Sequence, residues 1–494
     1  MLFSSKEFLF LFLPIVAIVF VMLRRFGNYR LCQWWVMSAS LFFYGWSDLR
    51  QVPVLLGSVL FNYVVCSWLY RLNTENTKAF LARTVFWIGI IGNLALLGYY
   101  KYAVWLTDVY SQWAGIAVAP PGILQPIGIS FYTIMQIMVL VDAYEGDTER
   151  AGFMDYITSV TFFPCLLSGP ILQPTAVWAQ IREQWSKPSK AEQFVGGISL
   201  FSIGLVKKAA IADSLAQWAN SGFEMAGSLT VVEAWTVALC YTLQLYFDFS
   251  GYTDMAVGLG RMFGISLPVN FNTPFRSRNL IEFWQRWHMS LSSFITGYVY
   301  IPIARWLPAG FGWSLQAILA AMLISGLWHG ANWTFVVWGG LHGLAIVVNH
   351  LWARTKIRLG APASWGLTFL FLLLTFVIFR AKNIDEAITM YKDLLGQHGL
   401  MLPTVLADKL GFLNGLGIQF GACMTHIDPG MTNRPLVFGL TFLVFAVFFQ
   451  NSDKFVEEMQ PTLETAIIIA VIFAIGLFHM ISATHISQFL YFQF

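Results

Sequence analysis

The sequence predicts an all-α polytopic membrane protein with roughly 11 to 13 membrane helices, at about 20 residues for each crossing. Of its 494 residues, 57% are hydrophobic and only 11% are charged, whereas soluble domains carry about 25% charged residues. The 44 Phe, 20 Trp and 18 Tyr residues suit a lipid-facing surface with aromatic belts at both interfaces. The apolar runs are longer than a barrel strand of roughly 10 residues, so the membrane segments are expected to be helices.

The first apolar segment is followed directly by Arg24, Arg25 and Arg30. It lacks a basic region before it and a small-residue cleavage site after it, so a membrane helix is favoured over a signal peptide. The positive-inside rule then predicts an outer N-terminus and a cytoplasmic C-terminus for this helix.

Spans of helix are predicted along the whole chain, with short interfacial or re-entrant pieces at residues 100–114 and 293–307. The spans are 9–23, 31–46, 52–70, 80–100, 127–142, 154–172, 195–212, 231–247, 311–328, 331–349, 365–379, 436–449 and 463–481. Residues 381–434 are polar and amphipathic and are expected to lie at a membrane surface. With neither an internal repeat nor a soluble domain in the sequence, residues 1–494 are predicted to form a single integral-membrane domain.

Charge, cysteines and motifs exclude several functional classes. The net charge of +3 is spread along the chain, so nucleic acid is not an expected partner. The five cysteines stand singly, without a C-x-x-C pair, which argues against a disulfide framework or a metal site. H-E-x-x-H, Walker A and G-x-S-x-G motifs are also missing from the sequence.

The first candidate element lies at the predicted end of the helix at 231–247. Its candidate residues are Tyr246, Asp248, Ser250, Tyr252 and Asp254. Acids near a membrane core are unfavourable unless they face a cavity or a partner. Two roles fit Asp248 and Asp254, namely direct catalysis or capping of a broken helix with an arginine partner. The structural role is favoured because acids at helix breaks satisfy free backbone donors.

The second candidate element covers residues 270–290. On a helix that begins at about Asn279, Trp284 and His288 are four residues apart and share one face, and Glu282 and Arg286 share another face and are expected to pair. Further candidates for substrate contact are Trp284, Arg286, Trp287 and Ser290. A lone histidine is more often a hydrogen-bonded structural group, so the pattern by itself does not assign His288 to catalysis.

The third candidate element joins two apolar helices at His329, between Gly326 and Gly330. Glycines let another chain or a ligand approach the backbone closely. An imidazole inside a membrane is a functional candidate by default, and low-dielectric surroundings favour its neutral form, which accepts a proton. Trp328 and Asn332 are neighbouring candidates, whereas His342 fits a packing role equally well. The histidines lack a nearby cluster of ligands, so no metal is expected.

At these three elements the sequence resembles the membrane-bound O-acyltransferase (MBOAT) superfamily, most of all its bacterial branch with the membrane subunit of alginate O-acetylation. The matching segments span nearly the whole chain: 1–5, 126–132, 168–170, 246–252, 283–290, 326–332 and 489–494. The resemblance implies a ring of helices around a central tunnel that contains an invariant histidine, here His329. A second family position, occupied by histidine, asparagine or aspartate, corresponds to His288. Residues 126–350 would form the catalytic core and residues 365–494 the C-terminal helices.

The resemblance also implies a reaction. An acetyl group would pass from cytoplasmic acetyl-CoA, without a permanently bound cofactor, through the tunnel to an extracytoplasmic acceptor for O-acetylation of an exopolysaccharide or cell-wall glycan. His329 would remove the acceptor proton, and His288 would orient the reactants or donate to the oxyanion. The implied setting is the lipid of a bacterial cytoplasmic (inner) membrane. The implied partners are an exported SGNH-type acetyltransferase and polysaccharide synthase or export machinery.

One departure leaves the acceptor open. Residues 294–298 lack the Arg and Asp that the alginate relatives usually carry after the second motif, so alginate is not assigned. Two alternative functions remain at this point. One is D-alanyl transfer from a carrier-protein thioester to teichoic acid, and the other is a non-enzymatic export channel or scaffold whose histidines only line a pore.

Overall fold

The structure is a computed structural model that describes residues 1–74, 79–147, 149–428, 430, 433–482 and 489–490. Residues 491–494 of the predicted terminal motif lie outside the described residues. The longer helices are Leu13–Arg24, Tyr29–Gly45, Val52–Thr74, Ala79–Leu97, Ala103–Ala114, Ile129–Glu145, Phe153–Thr161, Pro174–Gln184, Ala191–Val206, Asp213–Glu224, Val231–Met262, Phe311–His329, Trp333–Trp352, Ala361–Arg380, Ile384–Leu394, Arg434–Phe448 and Leu463–Ser482.

Shorter helical pieces connect or extend these helices. Turns of π-helix are Phe8–Phe12, Gly98–Tyr102, Lys207–Ala212 and Ile295–Tyr300. Short α-helices are Phe163–Leu166, Leu280–Trp284, Met289–Phe294, Ile301–Trp306, Ala407–Leu410 and Ser452–Glu458. Turns of 3-10 helix are Leu49–Gln51, Pro274–Arg276, Thr404–Leu406 and Gly411–Leu416. The only strands in the described ranges are Met401–Pro403 and Gln419–Gly421, which pair in parallel.

Seven helical segments of the described chain are long and apolar enough to cross a membrane, so the protein is a multi-pass membrane protein of helical type. They are Leu49–Asn73, Ala79–Ala114, Ala191–Glu224, Phe311–His329, Trp333–Trp352, Ala361–Arg380 and Leu463–Ser482. The bent pair Arg434–Phe448 and Ser452–Glu458 is an eighth candidate. The prediction of roughly 11 to 13 crossings also counted shorter segments, such as the 17-residue helices Tyr29–Gly45 and Ile129–Glu145.

The predicted continuous helix at 154–172 is wrong. The chain forms Phe153–Thr161, leaves the helical backbone at Phe162 with ψ 109°, and resumes only as Phe163–Leu166. Gly169 then packs its backbone on the preceding turn, where an added Cβ would lie 2.4 Å from the carbonyl oxygen of Pro164. Pro164 fits the first turn of a helix but not the interior of a longer one.

The predicted helix at 231–247 is longer than expected and extends over 32 residues as Val231–Met262. We call it the core helix, because it is buried along nearly its whole length. Its start is fixed by a capping box, in which the Thr230 amide donates to the Glu233 carboxylate at 3.0 Å. Asp248 and Asp254 therefore lie inside a continuous helix, and the expectation that they cap a break is wrong.

Glycines bring the core helix against helix Ala191–Val206. A Cβ at Gly251 would lie 2.8 Å from the carbonyl oxygen of Gly204, and one at Gly258 would lie 2.5 Å from that of Gly197. Backbones this close leave no room for side chains between them. The core helix thereby fills the centre of the protein instead of ending near a surface.

The predicted single helix through residues 279–290 is also wrong. Asn279 caps the helix Leu280–Trp284 by accepting from the Glu282 amide at 2.8 Å. The helix then ends, and His288 adopts the left-handed conformation with φ 45° before the next helix begins at Met289. Trp284 and His288 therefore do not share a face of one helix.

A distant residue enforces this break. The carbonyl oxygen of Asn270 accepts from the Met289 amide at 3.0 Å, and its side-chain oxygen accepts from the Ser290 amide at 3.1 Å. A continuous helix would need the amides of Met289 and Ser290 as donors, and Asn270 already accepts from both of them. The tertiary contact therefore competes with the local helix. The predicted pair of Glu282 and Arg286 is present at 3.1 Å.

Candidate functional site

A helical hairpin of Phe311–His329 and Trp333–Trp352 places His329 at its tip. We call it the site hairpin. A Cβ at Gly326 would lie 2.3 Å from the carbonyl oxygen of Phe335, and one at Gly339 would lie 2.4 Å from that of Met322. The two backbones touch at this crossing. Gly326 therefore allows the second helix of the same hairpin to approach its backbone closely.

We expect Gly326→Ala to destabilise the protein and Gly340→Ala to leave it nearly unchanged. An added methyl at Gly326 meets backbone, which cannot swing aside, and overpacking of this kind costs about 1–3 kcal/mol. At Gly340 the nearest atom is the end of the Leu323 side chain, at 3.4 Å. Thermal unfolding of both purified variants measures the difference. Equal melting temperatures would contradict the close crossing.

His329 lies in an aromatic pocket and is only 4% exposed. Its ring centroid is 4.9 Å from Trp328, 5.1 Å from Trp338 and 5.3 Å from Phe379. The helix Ala361–Arg380 supplies Phe379, so three helices enclose this imidazole. Such low-dielectric surroundings strengthen any polar interaction made inside the pocket.

The structure brings His288 to the same pocket. Its ring is fully buried, 4.6 Å from the Phe249 ring of the core helix and 6.1 Å from Trp328. Trp328 therefore contacts both histidines. Two imidazoles from separate sequence motifs thus share one buried site.

Lys101 is a residue that the sequence analysis missed. Its buried ammonium donates to the carbonyl oxygens of Trp328 at 2.6 Å and His329 at 3.2 Å, and to the Ser130 hydroxyl at 3.2 Å. Tyr102 adds a bond from its hydroxyl to the Leu327 carbonyl at 2.8 Å. The last carbonyls of a helix have no partners within it and favour a nearby cation.

A sequence signal for Lys101 did exist. It is an ionisable side chain in an otherwise apolar segment, and such residues are functional candidates by default. Lys101 and Tyr102 belong to the π-helical turn Gly98–Tyr102, a local widening that is frequent at functional sites. Together they hold the end of the helix that carries His329.

His342 is fully buried behind the pocket. Its Nε2 lies 3.1 Å from the Thr375 hydroxyl, which in turn can donate to the Phe371 carbonyl at 2.9 Å. The His342 ring packs 4.6 Å from Trp338, which contacts His329. His342 therefore supports the pocket wall.

The acids of the first element form buried ion pairs with lysines and not with an arginine as expected. Asp248 pairs with Lys208 at 2.6 Å, and Asp254 pairs with Lys207 at 2.7 Å. Lys208 also contacts Asp213 at 2.9 Å. Both lysines lie on the π-helical turn Lys207–Ala212. Their partners place these acids in a structural ion network.

The neighbouring candidates on the core helix are packed among aromatic rings or buried. Tyr252 stacks between Phe3 at 4.8 Å and Phe489 at 4.5 Å, measured between ring centroids. Tyr246 packs edge-on against Phe275 at 5.2 Å. The Ser250 hydroxyl is buried and has no hydrogen-bond partner among the described residues. None of these contacts involves His329 or His288.

The remaining candidates divide into two groups. Trp284 lies near the site, 5.5 Å from His342 and 5.8 Å from Trp338, and borders a cavity of about 420 Å³. The others make local structural contacts. Trp287 stacks on Phe283, the Ser290 hydroxyl accepts from the Ile171 amide, Arg286 pairs with Glu282, and Asn332 caps the helix Trp333–Trp352.

Among the residues that the structure describes, no three His, Cys, Asp or Glu side chains are placed to hold a metal ion. The side chains gathered at the site can transfer protons and form hydrogen bonds. Its parts are two buried imidazoles, indole rings and a lysine-capped helix end.

Comparison with known proteins gives a match to a family model and matches to three kinds of relative. Residues 79–366 match the model of the membrane-bound O-acyltransferase family. The chain is 33% identical to the peptidoglycan O-acetyltransferase of Helicobacter pylori over 100% of this chain and 98% of that protein. It is 35% identical to the probable alginate O-acetylase AlgI of Pseudomonas aeruginosa, over 85% and 79% of the two chains. It is 26% identical to the teichoic acid D-alanyltransferase of Bacillus subtilis, over 52% and 67%.

Proposed function

Because the chain belongs to the membrane-bound O-acyltransferase family, and is therefore a membrane-embedded O-acyltransferase, we propose that it moves acetyl groups for O-acetylation of a cell-envelope polysaccharide. The donor is a cytoplasmic thioester, acetyl-CoA, and the acetyl group crosses to the outer side of a bacterial inner membrane through a central tunnel. The observation that carries this proposal is the shared aromatic pocket of His329 and His288. Both imidazoles are buried, and burial of a polar ring is unfavourable unless it forms hydrogen bonds.

In this proposal His329 is the general base. It takes the proton of the acceptor hydroxyl as that oxygen bonds to the thioester carbonyl carbon. The carbon–sulfur bond then breaks, and His329 gives the proton to the leaving sulfur, which departs as the thiol. General-base assistance is typically worth about 10²–10⁴-fold in rate. His288 donates to the developing oxyanion, where one well-placed donor is worth about 3 kcal/mol.

His288 is predicted to tolerate asparagine better than glutamine. At φ 45° the backbone disfavours most residues, whereas asparagine, aspartate and histidine are enriched in this conformation. Asparagine also keeps a side-chain donor. We expect His288→Asn to retain several-fold more transfer activity than His288→Gln, measured as initial rates with purified protein. Equal loss in both variants would show that the backbone conformation is not the constraint.

Lys101 is proposed to position His329 by holding the helix end. We expect Lys101→Met to lower the transfer rate by about 10²-fold, because a displacement of about 1 Å at a catalytic group has effects of this size. Lys101→Arg keeps the charge and several donors and should recover part of the rate. Tyr102→Phe is the matched control, since it removes only the bond to Leu327. A Lys101→Met enzyme with the wild-type rate would contradict the role.

The relatives favour acetyl over D-alanyl as the transferred group. Proteins named for O-acetylation are 33–36% identical over most of the chain, whereas the teichoic acid D-alanyltransferases are 25–26% identical over about half of it. The relatives named for O-acetylation concern two different polysaccharides, peptidoglycan and alginate. We therefore propose only the class of the acceptor, a cell-envelope glycan, and not a particular polysaccharide.

The proposed acceptor pathway includes a second protein. The aromatic pocket around His329 suits a small acyl group better than a long hydrophilic glycan. We therefore propose that an exported SGNH-type acetyltransferase receives the acetyl group and modifies the polymer, next to the machinery that makes or exports it.

The test uses the purified full chain in lipid vesicles with radiolabelled acetyl-CoA. We expect acetyl release or transfer that depends on His329, and glycan acetylation only after the exported partner is added. A D-alanyl carrier-protein thioester serves as the competing donor. If only that donor supports turnover, the transferred group is D-alanyl and not acetyl. If neither donor supports turnover, the channel or scaffold function is favoured.

A further inference from the structure

A long apolar groove lies between the first helix and helix Ala191–Val206. It has a volume of about 850 Å³ and extends from Leu9 to Arg25 on one side and from Ser189 to Ser202 on the other. Its lining residues recur every three or four positions on both helices, as expected for two facing helix surfaces. Most of them are apolar, and Trp328, Trp338 and Phe379, which pack on His329, do not line the groove.

The groove is charged at one end only. Arg25 and Lys190 are exposed there, and neither forms a salt bridge within the described part of the chain. The nearest acid in sequence, Glu192, does not line the groove. Two cations without an acidic partner, at the end of an apolar surface, are complementary to a ligand with an anionic head and a hydrocarbon tail.

A buried arginine builds this charged end. Arg24 is only 2% exposed and donates to the carbonyl oxygens of Gln184 at 2.6 Å, Lys187 at 2.8 Å and Pro188 at 3.2 Å. These bonds tie the loop before helix Ala191–Val206 to the end of the first helix. Lys190 is thereby held beside Arg25 instead of moving with a loose loop.

The length of the groove matches one lipid molecule. Leu9 and Arg25 are separated by a helical rise of about 24 Å. Half of a bilayer, measured through its headgroups, is about 20–22 Å. We propose that this groove binds one anionic phospholipid, with the phosphate at Arg25 and Lys190 and an acyl chain along the apolar walls.

The experiment measures lipid retention by native mass spectrometry of the full chain, mixed in detergent with equal phosphatidylglycerol and phosphatidylcholine. We expect one phosphatidylglycerol molecule to be retained in preference to phosphatidylcholine. The double variant Arg25→Gln/Lys190→Gln should bind it about 30-fold more weakly, from about fivefold for each basic residue. Arg30→Gln is the matched control, because Arg30 is exposed in the first turn of the next helix, Tyr29–Gly45, and does not line the groove.

Two further experiments test whether the hydrocarbon chain of the ligand is needed for binding. Val195→Trp fills the groove from an exposed position and should reduce retention while the basic residues are intact. Soluble glycerol 3-phosphate should not displace the lipid, because it lacks the chain. The proposal is overturned if the double variant retains phosphatidylglycerol like the wild type, if Arg30→Gln loses as much, if Val195→Trp has no effect, or if glycerol 3-phosphate displaces the lipid.

Discussion

His329→Ala is expected to lower the rate of acyl transfer by at least 10²-fold and up to 10⁴-fold, the range that a general base supplies. The substitution removes the imidazole that the site hairpin presents between Trp328, Trp338 and Phe379. The rate is measured with purified protein and radiolabelled acetyl donor.

A matched control separates chemistry from folding. His479→Ala removes a histidine that is exposed on the helix Leu463–Ser482. Within the described residues, its one hydrogen bond is to the Ile475 carbonyl of the same helix, at 2.9 Å. It should keep the wild-type rate. Both variants should elute as single species in size-exclusion chromatography. If His329→Ala folds and retains more than a tenth of the wild-type rate, another residue is the base.

Asp248→Leu is expected to destabilise the protein by about 3 kcal/mol, at the low end of the 3–5 kcal/mol seen when one partner of a buried ion pair is removed. Its side chain pairs with Lys208 and also accepts from the Leu490 amide at 2.9 Å. Lys208 keeps its contact with Asp213, which compensates part of the stranded charge. Denaturant unfolding in mixed micelles measures the free energy of unfolding.

The double variant Asp248→Leu/Lys208→Met tests the reason for this loss. If the stranded ammonium is the cause, removing it as well should recover much of the stability, because buried pairs are often replaced by apolar residues at little cost. Glu183→Ala is the surface control. It breaks the exposed pair with Lys187 at 3.0 Å, where no measurable loss is expected. A double variant less stable than Asp248→Leu would contradict this account.

The candidate site was only partly predictable from the sequence. His329 stands out because an imidazole between glycines in an apolar segment is unusual, and the family motif singles out His288. Lys101 was missed since its role depends on the carbonyl oxygens of Trp328 and His329, which are far away in the chain. Local spacing carries no information on such contacts.

The prediction that Trp284 and His288 share one face of a helix was wrong for a related reason. Four-residue spacing predicts a shared face only while a helix continues. Here Asn270 accepts the backbone donors that follow His288 and turns the chain at that residue. The prediction of an arginine partner for Asp248 was also wrong. Its carboxylate pairs instead with Lys208, which lies on the π-helical turn Lys207–Ala212.

The sequence by itself determined the membrane class, the helical architecture and the family, because composition, length of apolar runs and contiguous motifs are all properties of the linear chain. Tertiary structure alone decided which residues surround His329, where the core helix ends, and which cation neutralises each buried acid. The physical reason is that buried polar groups must find partners wherever the fold provides them. In this protein those partners are supplied by helices distant in sequence.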